Sequence, residues 1–146
     1  MLYPFEYRKL GDFTYHILPD GSEIKKYMMD WILREWQMDH QEAPDEHWTV
    51  HWMSILPAMD FTLEVIPLDD IRPHVDLWNV EKFQNELKER ADEREWSILR
   101  GVSIEPLLVN KDGLELMDGY TRYTVLKRYF QKEVFAYVGR SPALTD

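Results

Sequence analysis

This sequence predicts an α+β fold built on a mixed sheet. Three observations carry that prediction. Stretches with helical spacing of apolar residues alternate with short apolar runs of strand length. Pro, Gly, Asn and Asp punctuate the boundaries, and one turn, Asp118-Gly119, joins a strand directly to a helix. A length of 146 residues suits one domain with room for a small extension. With 45% hydrophobic and 14% aromatic residues, the chain has the means to fill a core.

Leu18-Pro19-Asp20-Gly21-Ser22 reads as a turn, and Asp20 with Glu23 has the spacing of a capping box, Asp standing in for Ser or Thr. A helix over about 22–38 follows. Ile24, Tyr27, Met28, Trp31 and Ile32 recur on one face, as a core stripe does, and Glu35 falls on that face near its end. After a polar loop at 40–46, His47 to Trp52 alternates like a strand, with Trp48, Val50 and Trp52 on one side. His47 and His51 are then roughly 13 Å apart at ~3.3 Å per residue. Trp48 also stands where the zincin motif has its glutamate, so no metal site is expected.

Thr62 to Ile66 reads as a strand. Helices are expected over about 79–90, with Val80, Phe83 and Leu87 on one face, and over about 93–100, stopped by Gly101 as a C-cap. Pro106 to Val109 forms a strand, Asn110 to Gly113 a hairpin turn, and Leu114 to Met117 the returning strand. Asp118-Gly119 opens a helix over about 120–131 that buries Val125, Leu126, Tyr129 and Phe130. Val134 to Val138 closes the sheet.

Composition excludes several classes of function. With no cysteine, the chain has no disulfide, thiolate zinc site, iron–sulfur cluster or cysteine nucleophile. No apolar run approaches the ~20 residues of a membrane span, and the start lacks the pattern of a signal peptide. A cytoplasmic protein without a membrane partner is therefore expected. The net charge of −10 argues against coating duplex DNA. Against this acidic background, 119–140 holds Arg122, Lys127, Arg128, Lys132 and Arg140 with Glu133 the single acid. This basic run is either a solvated face or a small anion site.

The strand–turn–helix is the expected centre of chemistry. Gly119 permits a sharp exit from the strand, and the first amides of the next helix point a positive dipole end into the same space. Arg122 in the first turn suits a phosphate, and Thr121 can add a hydroxyl. The structural alternative is that Asp118 caps the helix and Arg122 pairs with a nearby carboxylate.

The order Val65-Ile-Pro-Leu-Asp-Asp-Ile-Arg-Pro73, helices to Ser97-Ile-Leu-Arg-Gly-Val102, Glu105-Pro-Leu-Leu-Val109, Leu116-Met-Asp-Gly-Tyr-Thr-Arg122 and Glu133-Val-Phe-Ala-Tyr-Val138 resembles the ParB/sulfiredoxin superfamily. The resemblance runs over roughly 62–140. It implies a ParB/sulfiredoxin-like domain over 61–146, preceded by an N-terminal α/β extension over 1–60 that packs on it. It also implies a nucleotide site in which the segment Gly119, Tyr120, Thr121, Arg122 cradles the phosphates of ATP, ADP or CTP. Sulfiredoxins place a reactive cysteine after the glycine, and Tyr120 here removes that chemistry. Free-serine kinases show Asp-Gly-His-His-Arg, of which Asp118, Gly119 and Arg122 match. Their glutamate after the first strand has its nearest counterpart here at Val75 or Asp76. ParB proteins show Gly-Glu-Arg-Arg, of which Gly119 and Arg122 match. They also continue into a helix-turn-helix and a dimerisation segment, neither of which is expected in a chain ending at Asp146.

Three functions follow from the resemblance. The first is a nucleotide-binding domain acting as a small-molecule phosphotransferase or nucleotide hydrolase, with Asp76 and Asp118 as catalytic carboxylates and Mg²⁺ bridging phosphate to one of them. The second is a non-catalytic interaction module of the same fold. It would use the aromatic N-terminal region (Trp31, Trp36, Trp48, Trp52) for a protein partner, and burial of site residues by 1–60 would favour it. The third is a ParB-like nuclease using carboxylates among Asp69, Asp70, Asp76 and Asp118, which the acidic charge disfavours. Whether the protein turns over a substrate is left open by the sequence.

Overall fold

A computed structural model of the chain describes residues 3–42 and 50–141. It opens with a hairpin of β1 (Glu6–Leu10) and β2 (Phe13–Ile17), in antiparallel register with Leu10 opposite Phe13. No strand was expected here. The signals for one are the alternation Phe13, Tyr15, Ile17, all buried, and the Gly11-Asp12 pair between the strands. Gly11 has φ 61°, and a Cβ there would lie 2.1 Å from Gln131 Oε1. The Asp12 amide donates to that same oxygen, and Gln131 Nε2 donates to Asp12 Oδ2, so one glutamine pins the hairpin turn.

Asp20 caps α1 (Gly21–Tyr27), but its carboxylate accepts from Ser22 rather than closing a box with Glu23. The helix passes through a π-turn, Met28–Ile32, into α2 (Leu33–Glu42). The buried stripe is Ile24, Met28, Ile32 and Trp36, a strict four-residue spacing, while Trp31 is 51% exposed. The wider i→i+5 turn explains the difference. It rotates the residue three positions after Met28 off the core face and keeps the fourth on it. Of the strand expected over 47–52, residues 47–49, His47 and Trp48 among them, lie outside the described residues and the remainder is corrected. Val50–Ile55 is a helix, α3. Trp52 and Leu56, four apart and both buried, supply its packing face.

The four-stranded sheet has the order β3 (Asp60–Pro67), β6 (Glu133–Arg140), β4 (Leu107–Asn110), β5 (Leu116–Asp118). β6 is antiparallel to β3 and parallel to β4, and β5 returns antiparallel to β4. This is the expected mixed sheet with flanking helices. α4 (Val75–Trp78) is followed by α5 (Glu81–Leu99). The two helices expected at 79–90 and 93–100 are one, because no Gly or Pro interrupts the segment and Leu87 and Ala91 continue a single buried stripe. Gly101 ends it at φ 91°, donating to the Ile98 carbonyl, as the sequence suggested. α6 (Tyr120–Arg128) stops earlier than expected. Phe130 adopts φ 54° beyond its end and is 89% exposed, so it leaves the face that Val125 and Leu126 bury.

Each face of the sheet has its own cover. Leu107, Val109, Leu116, Val134, Ala136 and Val138 belong to a core completed by α5, α6 and β2. Phe61, Leu108, Met117 and Tyr137 face the opposite way, into a core with Ile24, Met28, Ile32, Trp36, Trp52 and Leu56 from α1 to α3. Strand alternation therefore divides the buried side chains between two helical layers.

Candidate functional site

The site begins at the junction of β5 and α6. Gly119 holds φ 102° and ψ 29°, a left-handed conformation that sends the chain from strand into helix within one residue. It also permits close approach: a Cβ there would lie 2.7 Å from Arg122 Nη2 and 2.9 Å from Leu107 Cδ2. Arg122 is thereby folded back against the turn. Its Nη2 donates to the Pro106 carbonyl at 3.3 Å and lies 3.7 Å from Asp118 Oδ2, one helical turn away. Its Nε is buried with no hydrogen-bond partner. The amides of Thr121 and Arg122, in the first turn of α6, have no intrahelical acceptor.

These groups open onto a cavity of about 540 Å³ between the two helical layers. Asp118, Thr121 and Arg122 form one wall. Arg90, Glu93, Arg94 and Ser97 of α5 form a second, and Tyr27, Ile32 and Glu35 of the α1–α2 segment form a third. Arg90 and Arg94 lie one turn apart on α5, and neither forms an ion pair with another described residue. Glu105, just before β4, completes the lining.

Glu105 is the best-anchored charge in the cavity. Burial alone would raise its pKa, but contacts with His16, Arg122 and Tyr27 prevail and hold it at about 2. Tyr27 Oη donates to Glu105 Oε1 at 2.5 Å, and His16 Nε2 lies 3.6 Å from the same oxygen. The other ring nitrogen of His16 is 2.8 Å from Ser103 Oγ, which fixes the imidazole. Asp118 behaves oppositely. Burial, reinforced by the negative charges of Glu105 and Asp39, pushes its pKa up against the opposing pull of Arg122 and Trp36. Glu35 is also raised, by burial first and then by Asp118, Glu105 and Asp39. The cavity thus holds one carboxylate fixed in its charged form beside two that take up protons more readily than usual.

Of the residues expected from sequence, Asp118, Thr121 and Arg122 line the cavity and Gly119 forms its turn. Tyr120 turns its side chain away from the cavity. Its ring packs against Trp78 and Phe83, and its hydroxyl donates to the Leu116 carbonyl and accepts from the His74 amide. The residue is 5% exposed and belongs to the core beneath the sheet. It can serve a ligand only through its main chain. Asp76 is in α4, and its side chain lies outside the described residues. Asp69 is 91% exposed and pairs with Lys127 at 3.0 Å. Among the described residues no three His, Asp or Glu side chains group as metal ligands.

Sequence reading missed Arg90, Arg94 and Glu105. The i, i+4 arginine pair was a usable signal once α5 is one helix. Glu105 carries no local mark, since its partners Tyr27 and His16 come from distant parts of the chain.

The sequence matches no protein-family model and none of the curated proteins. Among solved structures the chain is similar to two crystals of a pNOB8-like ParB N-domain, at 22% identity with TM-score 0.44 and at 24% with TM-score 0.42. It covers 56% and 57% of this chain but only 30% and 29% of those. It is also similar to sulfiredoxin from Arabidopsis thaliana, at 22% identity with TM-score 0.38, over 56% of this chain and 86% of that one. No described helix is long and apolar enough to cross a membrane.

Proposed function

We propose that the cavity between the two helical layers binds the phosphates of a nucleotide, and that the protein is a nucleotide-dependent phosphotransferase or hydrolase. The observation that carries this reading is the convergence of Arg122, Arg90, Arg94 and the first amides of α6 on one space of about 540 Å³. Guanidinium groups and a helix N-terminus favour phosphate oxygens. Arg90 and Arg94 have no carboxylate partner among the described residues, so they are available to an incoming anion. Asp118 would hold Mg²⁺ against the phosphates. Where Asp118 does not bind the metal, its raised pKa suits it instead to accept a proton from a hydroxyl acceptor.

A second reading, the same fold binding a ligand without turnover, is favoured by one observation. Tyr27, Ile32 and Glu35 enter the cavity from the α1–α2 segment and narrow the space left for an acceptor.

Calorimetric titration with ATP, ADP and CTP, each with and without Mg²⁺, tests the proposal. Binding by the parent chain that is lost in Arg122→Ala and weakened about tenfold in Arg94→Ala is the expected result. Arg94→Ala matters because Arg122 also braces the Pro106 carbonyl and its loss can disturb the fold. No binding by the parent, or equal binding by a folded Arg94→Ala, refutes the phosphate reading. Binding without phosphate release or transfer selects the second reading.

A further inference from the structure

A second cavity, of about 550 Å³, lies wholly within the α4–α5–α6 layer. Three cations of the basic run 119–140 line the two spaces: Arg122 the first, and Lys127 and Arg128 the second. The first cavity mixes arginines with carboxylates. The second is lined by Lys88, Lys127 and Arg128 with no acidic residue, in a protein whose net charge is −10.

Its wall is aromatic. Trp78 and Tyr123 stand edge to face, with ring centroids 5.8 Å apart and planes at 84°. Leu87, 1% exposed, lies at the base. A concave apolar wall with a few polar groups at its edge is the usual build of a small-molecule site, and this volume falls within the usual range.

The three cations are not equivalent. Lys127 is 3.0 Å from Asp69 and 5.7 Å from the Tyr123 ring centroid. Arg128 contacts Asp92 at 2.8 Å and Glu95 at 3.3 Å. Lys88 forms no ion pair with another described residue. One uncommitted ammonium in the same lining as an edge-to-face aromatic pair matches a ligand with one negative charge and one flat apolar body. A phosphate dianion would find no helix N-terminus here, and the guanidinium in the lining, Arg128, is already held by Asp92 and Glu95, while a neutral ring would leave the Lys88 ammonium without an ion-pair partner.

We propose that the cavity between α4, α5 and α6 binds a small aromatic carboxylate, its ring against Trp78 and Tyr123 and its carboxylate at Lys88. The lining shares no residue with the nucleotide cavity.

Calorimetric titration of the full chain with 2-naphthoate, and with 2-naphthalenemethanol as its neutral counterpart, tests the proposal. Saturable naphthoate binding is expected, weakened about tenfold by Lys88→Met and retained in Lys88→Arg. The alcohol should bind weakly and equally to the parent and to Lys88→Met. Trp78→Leu should weaken both compounds. If that variant does not fold, the Lys88 pair decides, because Lys88 is exposed and its replacement leaves the core intact. Absence of saturable binding by the parent overturns the proposal. So does equal naphthoate affinity in Lys88→Met, or a loss in a folded Arg94→Ala that matches the loss in Lys88→Met.

Discussion

The two faces of the sheet are covered by different means. One carries α5 and α6, drawn from the segment whose motif order is recognisable in the sequence. The other carries α1 to α3, joined to the sheet through Trp36, Trp52 and a four-spaced aliphatic stripe. Both interfaces are apolar, yet the polar cavity opens where the layers meet and takes residues from each. The teaching is that a core and a site ask different things of the same helices. The α1–α2 segment buries one stripe and offers Tyr27 and Glu35 from its edge to the cavity.

The strongest way to break this comparison is to remove the second cover. Trp36→Ala should cost about 3–5 kcal/mol in urea unfolding, as loss of a buried aromatic does. A loss under about 1 kcal/mol would mean that α1 to α3 is an appendage and not half of the core.

A smaller effect tests the seam between layers. Glu105 has an ordinary value of 4.5 and is held at about 2. A carboxylate with a lowered folded pKa contributes stability that is fully present above the unfolded value and is lost as pH falls toward the folded one. The parent should therefore lose stability between pH 4.5 and about 2, and Glu105→Gln should flatten that part of the curve. Asp118 and Glu35, whose values are raised, act in the opposite direction and do not produce an acid loss. Unfolding curves at stepped pH distinguish the two slopes. A parallel acid loss in parent and variant would remove Glu105 as the link.

The smallest effect sharpens the contrast within one helix. Trp31→Ala should change stability by no more than about 0.5 kcal/mol. Its fluorescence loss should come from the solvent-exposed, red-shifted part of the spectrum. A loss near that of Trp36→Ala would contradict the rotation imposed by the π-turn.

The sequence was most legible where local chemistry and tertiary placement agree. Gly119 and Arg122 declare a strand–turn–helix with a cationic first turn, and both are found at the cavity. The sheet and its turns followed from runs whose alternation reflects half-buried strands. Legibility failed where a distant contact decides. Trp31 has the spacing of a core residue, and only the wider turn removes it. Residues 47–52 alternate like a strand, but Val50–Ile55 packs Trp52 as a helix. Tyr120 stands in a ligand motif and spends its side chain on the core. Glu105 became visible only when His16 and Tyr27 were folded against it.

The place of β6 has a consequence for how the chain is made. β6 lies between β3 and β4, yet it follows every other described strand in the sequence. During synthesis β3 therefore has no neighbour for its inner edge until Glu133–Arg140 has left the ribosome, while both helical layers are already available to collapse. The sheet is completed by insertion of its central strand between two waiting edges. A nascent chain stalled before Glu133 holds β3 and β4 apart, with their hydrogen-bonding edges open. This chain should depend on chaperones most during the interval just before β6 emerges.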